Sequence, residues 1–76
     1  MITAAQSRSA RTLLRWSVGK LASAASLSDT AVDDFELERR TPDAATAAAI
    51  QRAFEDVGME FLPLDDVRLG DRSAVR

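Results

Sequence analysis

Two sets of side chains in this sequence could do chemistry. Asp33–Asp34 and Asp65–Asp66 are paired carboxylates, the groups that hold hard cations or exchange protons. Neither pair has the spaced oxygen ligands of a calcium loop. Adjacent residues on a helix also point about 100° apart, so a helical pair diverges rather than converging on an ion. Arg8, Arg11 and Arg15 recur at helical spacing and would project outward together as a phosphate-facing stripe; the same spacing also describes an ordinary solvated face. The chain has no His and no Cys. That removes the commonest general base and metal ligand, the thiol nucleophile and the disulfide. Ser with Lys is the one nucleophile–base pairing left, and Lys20 has no partner that the sequence would bring to it. The expectation is therefore no enzyme, no cofactor and no metal, and a function built on recognition.

The elements that must position these charges read as short helices. Thr3 caps a first helix running to about Trp16, with Ala10, Leu13 and Leu14 facing inward. The lone Trp16 should pack at the junction with the next helix. Ser17 caps a helix from Val18 to about Ala25, with Leu21 and Ala25 on one face. Ser28 caps a third from Asp29 to about Leu37, with Val32 and Phe35 as its apolar face. Ala25-Ser26-Leu27 leaves room only for a sharp reversal, and Ala22 stands where the two helices must approach closely. This is the pattern of a helix-turn-helix. Pro42 suits the first turn of a fourth helix from about Asp43 to Val57, whose Ala47, Ile50, Phe54 and Val57 should face the core, with Gly58 as its C-cap. Met59–Leu62 and Val67–Leu69 read as a short hairpin turning at Asp65–Asp66. Such a hairpin must lie on the helices or pair with a second chain to be stable. The last residues, 71–76, read as a disordered tail behind a domain of residues 1–70.

At 76 residues with a formal net charge of −2, this is one small domain with no overall electrostatic pull towards nucleic acid. No apolar run approaches a membrane span and no signal peptide is apparent, so a cytoplasmic protein with no membrane partner is expected. The charges are segregated along the chain. Up to Ser28 they are all basic: Arg8, Arg11, Arg15 and Lys20. From Asp29 to Glu38 they are all acidic: Asp29, Asp33, Asp34, Glu36 and Glu38. Arg39 and Arg40 follow. Glu36 and Glu38 oppose the dipole at the end of the third helix.

Taken together, ITAAQSRSARTLLRWS, LASAASLS, VDDFE, ERRTP and AIQRAFEDVGMEF make the chain resemble the lambda-repressor-like (Xre-type) helix-turn-helix family of small bacterial transcriptional regulators. Ala22, Ser26 and Val32 match the three signature positions of the motif. The resemblance implies an all-α, compact four-helix domain with a short C-terminal β-hairpin. It also implies double-stranded DNA as partner, bound through the third helix by a homodimer. The family's usual Gln at the start of the second helix, which braces a DNA phosphate, is Val18 here, and its usual turn Gly is Ser26. The family's recognition positions match Ser28, Asp29, Thr30, Asp33 and Asp34. A carboxylate can accept from cytosine N4, but three of them facing phosphates gain no counterion release.

Two functions follow. The first is transcription regulation by DNA binding, with Arg8, Arg11, Arg15, Lys20, Arg39 and Arg40 on phosphates and Asp29, Thr30 and Asp33 reading bases. The alternative is a protein-binding antiactivator on the same scaffold, whose acidic third helix captures a basic transcription-factor surface.

Overall fold

The structure is a computed structural model and describes residues 2–39, 43–62 and 66–69. Four helices, α1 (Ala4–Leu14), α2 (Val18–Ala25), α3 (Asp29–Glu36) and α4 (Ala44–Glu55), are followed by strands β1 (Met59–Leu62) and β2 (Asp66–Leu69). This is the expected small all-α domain of four helices with a terminal hairpin.

Local capping chemistry sets the helix starts. The Thr3 hydroxyl accepts from the Gln6 amide while the Gln6 side chain accepts from the Thr3 amide, a closed capping box. Ser17 accepts from the Lys20 amide, Ser28 from the Ala31 amide and Asp43 from the Ala45 amide. Left-handed residues end two helices: Arg15 (φ 57°) after α1 and Ser26 (φ 59°) after α2. At each, the next residue's amide reaches back to a carbonyl five positions earlier, Trp16 to Arg11 and Leu27 to Ala22. Helix α1 therefore stops at Leu14, two residues short of the expected Trp16.

The core is Ala10, Leu21, Ala22, Val32, Phe35, Ala47, Ile50, Ala53, Phe54, Ile2 and Met59. Helix α2 packs on both α3 and α4, and α1 on α3 and α4. Ala22 and Ala47 are buried, so the close approach expected at Ala22 is met by methyl-sized side chains. Trp16 stacks on Phe54 with ring centroids 5.6 Å apart, and Phe61 meets the same ring edge-on at 6.0 Å. Strand β1 lies against α4 and antiparallel β2 against α1, which gives the hairpin the support it needs.

Three expectations are corrected. Leu13, expected inside, is 56% exposed. The buried stripe of α1 runs through Gln6, Ser7 and Ala10, and Leu14 continues it, leaving Leu13 at its margin. Val57 is 43% exposed, because α4 ends at Glu55 and helical phase no longer directs it. Gly58 does take a positive φ of 90°, but within the turn that follows the helix. Asp66 opens β2 opposite Leu62 instead of forming the turn. Asp65, the Arg40–Pro42 connection and the expected tail at 71–76 lie outside the described residues.

Candidate functional site

The candidate surface is the outer side of α3. Val32 and Phe35 turn into the core, as their spacing requires, and Ser28, Asp29 and Thr30 are exposed. Asp33 and Asp34 are half-buried on the flank. Every charged residue of α3 is an acid. Asp29 sits in the first turn, where the helix dipole favours a carboxylate. Ser28 serves as the N-cap, so its hydroxyl is engaged with its own helix.

The fourth acid of α3, Glu36, behaves differently. It is 3% exposed. Arg11 straddles its carboxylate: Nε lies 3.0 and 2.9 Å from the two oxygens, and Nη2 lies 2.7 Å from Oε1. The Ser7 hydroxyl donates to Oε2 at 2.5 Å. Arg8 donates to the Glu36 carbonyl oxygen, and Arg11 also donates to the Trp16 carbonyl at 3.2 Å. One buried carboxylate thus ties the end of α3 to α1 and to the α1–α2 junction. The hydrogen bond to Glu36 raises the Arg11 pKa above its ordinary value against the opposing effect of burial, with added attraction from Glu36 and Asp33.

This network changes the picture of the basic stripe. Arg8, Arg11 and Arg15 were expected to project outward together. Arg11 instead turns inward, its side chain 22% exposed. Arg8 remains exposed but is bonded to the α3 terminus. Arg15 is exposed. Lys20 is exposed, with Nζ 5.8 Å from the centroid of the Trp16 ring. Arg39 stands 3.8 Å from Asp34, a loose surface pair. Arg40 is outside the described residues. The polar cluster of Ser7, Arg11 and Glu36 carried no local signal in the sequence. Its members lie 25 and 29 positions apart, and a polar residue on a helix is by default assigned outward.

No helix among the described residues is long and apolar enough to cross a membrane. No family model matches the chain, and no curated protein matches it.

Proposed function

We propose that the protein is an antiactivator-type regulator on a helix-turn-helix scaffold, with α3 docking on a basic surface of a transcription factor. One observation carries this reading: the exposed side of α3 offers carboxylates and no cation, while Arg8 and Arg11, expected to serve it on phosphates, are drawn onto Glu36. Such a surface repels a phosphate backbone and complements a field of Lys and Arg.

The test is affinity capture of the transcription factors encoded beside its own gene, using the parent chain and the triple variant Asp29→Asn, Asp33→Asn, Asp34→Asn. The parent should retain one of them and the variant should lose it, with slower association as steering is removed. Equal retention by both chains would remove α3 from the interface.

The second reading, a homodimeric DNA-binding regulator, is favoured by the two Ser-capped helices about the left-handed Ser26 and by exposed Arg15 and Lys20. It expects saturable, sequence-dependent binding to DNA flanking its own gene at about 50 mM salt, where phosphate contacts are strongest. Finding that binding would replace the first reading with the second.

A further inference from the structure

Within the protein-binding reading, on which this inference rests, the acids of α3 are not equivalent. A methyl placed on Gly19, in the first turn of α2, would lie 3.6 and 3.9 Å from the two carboxylate oxygens of Asp29 and 3.8 Å from the hydroxyl oxygen of Ser17. The Cα–Cβ direction of a helical residue tilts towards the helix N-terminus, so those oxygens lie towards the entry of α2. Asp29 therefore has two positions at once. It heads α3 in sequence, and its carboxylate stands beside the first turn of α2 in space.

We infer that Asp29 is a specificity-determining residue that excludes phosphate from the face formed by the first turns of α2 and α3. The first turns of helices carry unpaired amides and partial positive charge, which favour an approaching anion. Here an anion reaching α2 meets a carboxylate of the chain itself. The Ser17 hydroxyl oxygen accepts from the Lys20 amide, so one amide of that turn is already engaged. Asp33 and Asp34 lie a turn further along α3, beyond its first turn. On this account the rejection of nucleic acid is concentrated in one side chain.

The experiment is fluorescence anisotropy of a labelled random-sequence duplex titrated with the full chain at several salt concentrations. It compares the parent, Asp29→Asn, and Asp56→Asn as a control. Asp56 is an exposed carboxylate after α4, so its loss changes net charge equally at a distant place. Asp29→Asn should bind about tenfold more tightly than Asp56→Asn, the size of a like-charge repulsion removed at close range in high dielectric. The advantage should shrink as salt rises, because the repulsion it removes is screened. Asp29→Ser, which keeps a polar residue in the first turn, serves as a second neutral variant and should do the same, with circular dichroism confirming the fold of each. Equal affinity of the Asp29 and Asp56 variants, whether both bind or neither does, overturns the inference. Tight binding of the duplex by the parent itself overturns instead the protein-binding reading beneath it.

Discussion

Glu36, in the last turn of α3, is held by two side chains of α1 and excluded from solvent, whereas Asp29, in the first turn of the same helix, is exposed. The two carboxylates are chemically alike. Their difference lies in what the rest of the chain brings to them. At the C-terminal end the helix dipole disfavours an anion, and burial adds a desolvation penalty, so Glu36 persists there only because Arg11 and Ser7 supply charge and hydrogen bonds together. At the N-terminal end the dipole already favours Asp29, and no partner is required. One end of α3 thus fastens the helix to the domain, and the other is left exposed to solvent.

The comparison is broken most severely at the fastened end. Arg11→Ala should cost about 3–5 kcal/mol, because it strands a buried carboxylate. A domain with a total stability of order 5–15 kcal/mol would lose much of its folded population. Urea denaturation followed by circular dichroism measures this. The double variant Arg11→Met, Glu36→Leu should lose much less than the single change, since an apolar pair leaves no stranded charge. A single variant as stable as the parent would mean that Glu36 finds another partner.

One residue before Glu36, Phe35→Ala should cost about 3 kcal/mol, the usual loss on truncating a buried aromatic. Phe35 is 8% exposed and belongs to the core. A melting temperature within a few degrees of the parent would take Phe35 out of the core.

Ser26→Gly tests the turn that places Asp29. Ser26 has φ 59°, where a side chain is strained and glycine is not, so the change should stabilise by up to about 1 kcal/mol. Destabilisation would show that the Ser26 side chain supports the turn by some contact of its own.

The smallest effect on stability belongs to the exposed end. The triple change of Asp29, Asp33 and Asp34 to Asn should alter folding by no more than about 1 kcal/mol, chiefly the favourable dipole interaction of Asp29. A much larger loss in a thermal melt would make these carboxylates structural and erase the contrast with Glu36.

How much of this was legible in the sequence follows from the range of each interaction. Ser17, Ser28 and Thr3 announced their helices because a cap acts on an amide three residues away, and the start of each helix is where they place it. Val32 and Phe35 were legible as core for the same local reason, since helical phase holds over eight residues. Phase misled at helix ends: Val57 follows the last turn of α4, and Leu13 lies at the edge of a stripe whose other members include the polar Gln6 and Ser7. The acidic character of α3 was plain from its letters. Which acid would face outward and which would be sequestered was not, because the letters Glu36 and Asp29 carry the same charge. That distinction was made by α1, packed across α3 from 25 residues away, where Arg11 reached a carboxylate that had to be paired once buried. Short-range hydrogen bonding and helical periodicity are written in neighbouring residues and were determined by the sequence itself. The pairing of Arg11 with Glu36, and the approach of Asp29 to α2, depend on distances between helices, and only the tertiary structure decided them.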